Sequence, residues 1–398
     1  MISAWLALAV PDAEAHGEAF ELVRLAANSE EPSELWGIVE GWGLVHSTDD
    51  GATWGWLCEE SVGTTTTYDL LPWGPGSVLV GTVDGLLRVG EDCLGETVGD
   101  LPEGFVLRLA EYEGQALVAL VGPESGGVYR CDDSMCQATS LVGEGLYPKS
   151  LFVDGATAWV TVVHTGEEDG LAAELWRADD GAAFRVAHTW PAGDVDPRVV
   201  YASGETVYAW LRPRTEAATP GFARSTDGGT TFTTTFTTGY FTDPAPGVLV
   251  RDEGDTVFLG SWYGARTWVS RDAGVSFEEV SLEQPALKCG LDLPDRSLIC
   301  TDHLADGFDV AVTTDGKTFS PTLCLEDVLP AACAEQTCEP YVSAWSAAAA
   351  IGGGQCELPV EEAHPAEEPD CGCESGATSG TLIPLVGLAG VGLRRRRA

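Results

Sequence analysis

The chain has 398 residues, 44% of them hydrophobic, with 13 tryptophans and two methionines, which is ample for one large packed domain. Its 62 acids against 21 bases give a formal net charge of −41, and residues 16–370 alone carry 59 acids against 17 bases, or −42. A field of that sign repels nucleic acid and anionic membrane surfaces; its plain meaning is solubility in salt and loose counter-cation binding.

Taken in chain order, Ile2 to Val10 is a short apolar run, and Ala13-Glu14-Ala15 after it fits a small-residue cleavage site. Residues 1–15 therefore read as a signal peptide, although the basic n-region is missing; a buried first strand is the alternative. Cleavage after Ala15 would leave His16 as the N-terminus, and an amine with an imidazole can chelate copper if a second histidine completes the site. His46, His164, His188 and His303 are the candidates, and no motif places any of them. No Asp-x-Asp-x-Asp-Gly loop is present, so no metal site and no cofactor are otherwise indicated.

From residue 16 onward one hairpin pattern recurs. Ser47-Thr48-Asp49-Asp50-Gly51-Ala52-Thr53-Trp54 returns as Ser225 to Phe232, as Ser270 to Phe277 and, one residue short, as Thr313 to Phe319. Weaker copies sit at Arg177 to Phe184, Arg130 to Cys136 and Val89 to Gly95. Asp bonds local backbone groups and Gly accepts positive φ, so each copy predicts a turn between two strands, with the closing aromatic covering it. The aligned acids are Asp49, Asp92, Asp132, Asp179, Asp227, Asp272 and Asp315, at intervals of 43, 40, 47, 48, 45 and 43 residues. That period suits one four-stranded propeller blade of roughly 40–50 residues. The expected fold is all-β: seven antiparallel blades over residues 16–323, with six as the alternative. In blade 1 the strands fall near Glu21–Ala26, Leu35–Val39, Gly43–Ser47 and Thr53–Cys58, running outward from the channel.

The inner strands carry the one functional signal. With each first turn aligned on Gly114, Gly155 or Gly204, the bases Arg108, Lys149 and Arg198 all lie six residues earlier, toward the channel mouth. Arg24, Arg251 and Lys288 also occupy inner strands, out of that register. A focused cationic cluster in an acidic molecule can hold a carboxylate or sulfate; the competing reading pairs each base with an acid of the next blade. Gly122 to Gly127 and Gly316-Lys317-Thr318 echo protease and phosphate-loop fragments but lack their partners, and read as turns.

The Ser-x-Asp-x-Gly-x-Thr-aromatic repeat resembles the Asp-box, or BNR repeat, of sialidase-like β-propellers. That resemblance implies the fold, with Asp49, Asp179, Asp227, Asp272 and Asp315 as structural acids of the box. It does not bring the activity. The Arg-Ile-Pro motif of sialidases is absent, and no Tyr–Glu pair can be assigned.

Beyond the repeats, residues 324–356 form a Cys-rich segment with a short helix from Ser343 to Ile351, and 357–370 read as an acidic Pro/Glu-rich stalk. Twelve cysteines agree with an oxidising compartment. Cys131 with Cys136 and Cys289 with Cys300 flank hairpins and are expected as local disulfides. Cys58 with Cys93 is expected to join blades 1 and 2, leaving Cys324, Cys333, Cys338 and Cys356 to staple the final segment. Residues 371–398 present Cys371-Gly372-Cys373, a polar spacer, an apolar stretch from Leu382 to Leu393 and four arginines. As a helix those 12 residues reach only about 18 Å, short of a bilayer core of roughly 30 Å. The arrangement resembles the myxobacterial C-terminal sorting signal (MYXO-CTERM), which implies processing by a membrane sorting protease near Cys371 or Cys373 and delivery to the outer cell surface. The reading at this level is an exported, surface-anchored, monomeric binding module for an extracellular glycan or protein. The rival class is a secreted glycosidase working at the channel mouth with paired carboxylates.

Overall fold

A computed structural model describes residues 21–351, apart from 65, 91, 165–171, 192–194, 215–219, 238–246, 261–265, 281–284 and 303–305. The proposed signal peptide, His16, His303, Cys356, the stalk and the sorting tail with Cys371 and Cys373 lie outside the described residues. Short strands separated by Gly- and Asp-bearing turns make seven sheets of four strands, at 22–57, 67–97, 105–143, 146–190, 195–237, 247–279 and 289–323. Within each sheet consecutive strands pair antiparallel, so every blade is a meander running outward from its inner strand. The count is seven rather than six.

Each repeated turn joins the third and fourth strands of its blade. In blade 5 the Ser225 hydroxyl donates to Asp227 (2.7 Å) and accepts the Gly229 amide (2.9 Å). Asp227 in turn accepts the Thr231 amide (2.8 Å) and the Thr231 hydroxyl (2.7 Å). The same bonds recur at Asp49, Asp272 and Asp315. Asp132 keeps the amide bonds, from Ser134 and Met135, whereas Asp179 exchanges them for the guanidinium groups of Arg177 and Arg185. The donors stabilise the ionised acid, above all the Thr231 and Ser276 hydroxyls and the Thr318 amide. They hold Asp227, Asp272 and Asp315 down at about 2.

These turns also lock blade to blade. Gly274 has φ +74, and a Cβ there would stand 2.8 Å from the Tyr208 ring of the preceding blade, so only glycine lets this turn seat. Tyr208 belongs to a repeated start of the second strand, Thr157-Ala158-Trp159, Thr206-Val207-Tyr208 and Thr256-Val257-Phe258, whose large third side chain is buried in each case. Burying one such side chain is worth about 1.5–3 kcal/mol.

Ring closure uses the segment after blade 7. Leu329 and Pro330 pair in parallel with Gly55 and Trp56 on the outer strand of blade 1, an added strand that the sequence does not announce. Trp345, in the helix Val342–Ile351, is buried against Trp56 and Trp42 and donates to the Leu325 carbonyl (3.0 Å). That path corrects the expected disulfides. Cys58 joins Cys338 and Cys93 joins Cys333, both with Cα atoms 5.6 Å apart, so no Cys58–Cys93 bridge forms. The returning chain brings Cys333 and Cys338 beside blades 1 and 2, which no local spacing encodes. Cys131–Cys136 and Cys289–Cys300 pair within their own hairpins, and Cys324 is also disulfide-bonded. Ion pairs close the ring at both ends of the inner strands. Lys288 of blade 7 binds Glu21 just before blade 1 (2.6 Å), and Arg296 binds Asp50 at the opposite end.

Two outcomes follow. Non-reducing peptide mapping will show Cys58 linked to Cys338 and Cys93 to Cys333, and the Cys58→Ser/Cys338→Ser variant will lose roughly 2–5 kcal/mol of unfolding free energy. The turn acids have folded pKa values below their ordinary 3.8, so their stabilisation is complete above about pH 4 and is lost as pH falls toward 2. Denaturant midpoints measured from pH 6 to 2 will therefore fall less steeply for Asp227→Asn/Asp272→Asn/Asp315→Asn than for the parent chain, from a lower starting value.

Candidate functional site

The inner strands are not regular. Pairing with the second strand skips one residue at Val23, Tyr68, Leu107, Lys149 and Val200, in blades 1 to 5. A bulge re-aims the side chains beside it. In blades 1, 2 and 3 the next residue is Arg24, Asp69 and Arg108; in blade 4 the extra residue is Lys149 itself.

The starts of these strands enclose a cavity of about 310 Å³ at the channel mouth, lined by Arg24, Arg108, Lys149, Arg198 and Lys288. The three bases aligned on the turn glycines therefore do converge. Arg24 and Lys288, out of register in the sequence, join them. The glycine ruler fails in blades 1 and 7 because their first turns, Asn28 to Ser33 and Leu293 to Arg296, contain no glycine. Arg251 lies at the other end of its strand, bonded to the Thr314 carbonyl and paired with Asp292.

Acids of neighbouring blades answer some of this charge. Arg24 meets the buried Asp69 of blade 2 (2.9 Å), whose other oxygen accepts the Leu109 amide of blade 3 (2.9 Å). Lys288 lies between Glu21 and Asp302 (2.6 and 3.3 Å). Asp196 is shared more loosely. Lys149, Arg198 and Arg212 approach the same oxygen at 3.7, 3.9 and 3.9 Å, while its second oxygen, buried, has no hydrogen-bond partner among the described residues. Lys149 also sits over the Tyr147 ring, 3.9 Å from its centre.

Two guanidinium groups are left under-used. The Arg198 Nε is buried without a hydrogen-bond partner among the described residues. Arg108 donates to its own neighbour's carbonyl, Leu107, and has no ion pair among the described residues. Burial pushes the Arg108 guanidinium down from its ordinary pKa, Asp69 offsets part of this, and Arg24 and Arg198 add to it. Lys149 is lowered in the same way, first by burial, against the pull of Asp196. Arg108 is thus without an ion pair among the described residues, and Lys149 and Arg198 share Asp196 with Arg212, at the mouth of a strongly acidic protein.

The described histidines at 46, 164 and 188 do not gather. His46 bonds Glu34 and stacks on Trp36, His164 bonds Glu174, and His188 bonds the Thr230 carbonyl. No group of three metal-ligating side chains exists among the described residues.

No protein-family model and no curated protein sequence matches the chain. Solved structures do resemble it. Hydrazine synthase of Kuenenia stuttgartiensis matches 76% of this chain and 97% of its own, at 14% identity and a TM-score of 0.50. YCF48 from Cyanidioschyzon merolae matches over 71% and 96%, at 13% identity and a TM-score of 0.47. The β-propeller domain of Cps50 (Swd1) from Myceliophteria thermophila matches over 75% and 97%, at 10% identity and 0.45. Likeness at this level concerns the fold alone.

The pairing pattern separates structural from spare cations. Arg24→Gln leaves the buried Asp69 without its cation and will cost roughly 1–3 kcal/mol in chemical denaturation. Arg108→Gln removes a desolvated charge that makes no ion pair among the described residues and will leave stability unchanged within about 0.5 kcal/mol or raise it.

Proposed function

We propose that this chain is an exported binding propeller that takes an anionic group of an extracellular glycan or protein at its channel mouth. The observation that carries the reading is Arg108, a channel-facing guanidinium with no ion pair among the described residues, in a chain of net charge −41. A protein so acidic has carboxylates to spare, and a desolvated cation left without one suits a ligand's acid better than it suits the fold. Export is supported by the disulfides Cys58–Cys338 and Cys93–Cys333, which close loops of 280 and 240 residues and need an oxidising compartment. No helix among the described residues is long and apolar enough to cross a membrane. The N-terminal apolar run and the Cys-hydrophobic-Arg tail supply the route: removal of the leader, then a sorting protease acting near Cys371 or Cys373. Kinship with the Asp-box propellers rests on the repeated turn and its hydrogen bonds.

The glycosidase reading gains less. Asp69 and Asp196, the acids on the inner strands at the mouth, serve as counter-ions to bases rather than facing each other as an acid–base pair. A glycan array probed with the purified chain will show binding to acidic glycans, and Arg108→Gln/Lys149→Gln/Arg198→Gln will abolish it. Equal signals from both proteins would remove the channel mouth as the binding site.

A further inference from the structure

Resting on the channel mouth as the ligand site, we infer that its occupant is a compact tetrahedral oxyanion of two negative charges, a phosphate group or the free sulfate ion, gripped by Arg108 and Arg198. Charge sets the first condition. Arg108 has no ion pair among the described residues, and Lys149 and Arg198 share Asp196 at 3.7 and 3.9 Å, so the bases lining the cavity are not matched one to one and a dianion meets more of their charge than one carboxylate does. Unmet donors set the second. Among the described residues Arg198 holds a buried Nε without a hydrogen-bond partner, and the guanidinium of Arg108 bonds only the Leu107 carbonyl. Asp196 does not absorb the donors of the two cavity bases beside it, since Lys149 and Arg198 stay 3.7 and 3.9 Å from it.

Arrangement sets the third condition. The cations project from blades 1, 3, 4, 5 and 7, so they surround the axis instead of sharing one side. A carboxylate offers two oxygens in one plane, whereas a phosphate or sulfate group presents three or four acceptors in different directions. The cavity of about 310 Å³ is at the small end for ligand pockets. It admits the oxyanion with one small organic substituent and excludes a folded surface.

Isothermal titration of the full chain at fixed ionic strength tests this with inorganic phosphate, sulfate, glucose 6-phosphate, glucuronate and acetate. Phosphate, sulfate or the sugar phosphate will bind one to one, at least roughly tenfold tighter than either carboxylate. Arg108→Gln and Arg198→Gln will each weaken that binding by roughly tenfold or more. Arg108→Lys, which keeps the charge and loses the fork, will recover only part of it. Arg271→Gln, an exposed arginine bonded to Glu278 in the outer turn of blade 6, will bind as the parent does. Tighter binding of the sugar phosphate than of inorganic phosphate assigns an esterified ligand, and the reverse order assigns the free ion. Carboxylates that bind as well as the dianions, or dianion binding that ignores Arg108 and Arg198, would overturn the inference. If the channel variants lose an array signal while phosphate and sulfate bind nowhere, the oxyanion fails and the binding reading stands. If the array signal also survives in the variants, both fail.

Discussion

Ring closure is the constraint on which the rest of this structure depends. A blade is a twisted sheet that buries both faces only when it has a neighbour on each side, so the first and last blades are stable only in contact with one another. Chain connectivity joins the other six junctions; the seventh must be made by packing. Here the chain end makes it. Leu329 and Pro330 extend the outer edge of blade 1, Trp345 seals the join, and Cys333 and Cys338 bind the returning segment covalently to blades 2 and 1. A cross-link spanning 280 residues acts chiefly by restricting the unfolded chain, and its entropic gain grows only slowly with loop length. Its native-state effect is to fix the register in which the ring closes.

What the sequence made legible was what is local. The turn acids were readable because every donor to Asp227 lies within four residues of it, and the period between such turns gave the number of blades. The weaker copies at Asp92 and Asp132 also proved to be third-to-fourth-strand turns, since position in the period matters more there than the full motif. The pairing of Cys58 and Cys93 was not readable. Both partners come from a segment more than 200 residues away whose path is set by packing against Trp56.

The channel mouth falls between these cases. Arg108, Lys149 and Arg198 could be aligned because Gly114, Gly155 and Gly204 mark equivalent turns. Arg24 and Lys288 could not, because blades 1 and 7 turn without glycine. Their acids were harder still. Asp69 and Asp196 are single residues in inner strands, and nothing in their neighbours marks them as counter-ions across a blade junction. The bulges that aim these side chains leave no composition signal of their own, since Val23, Tyr68 and Leu107 are ordinary strand residues.

The same bulges explain why a site can exist here at all. In a regular inner strand, alternate residues face the two neighbouring blades and are committed to packing. An extra residue breaks that alternation for one step and turns a side chain toward the axis while the rest of the strand keeps its register. Five of the seven inner strands contain such a step, and Arg24, Asp69, Arg108 and Lys149 are at or beside one. Leu109 and Val199 show how the junctions tolerate it. Their amides are taken up by side chains of the preceding blade, Asp69 and Ser150, where a regular strand would face only apolar neighbours. Polar groups buried in this way must be bonded, and they are bonded between blades. The irregularity that exposes cations to the channel therefore also holds the inner ring in register, which separates the mouth, where chemistry can vary, from the Asp-bearing turns at the rim, where it repeats.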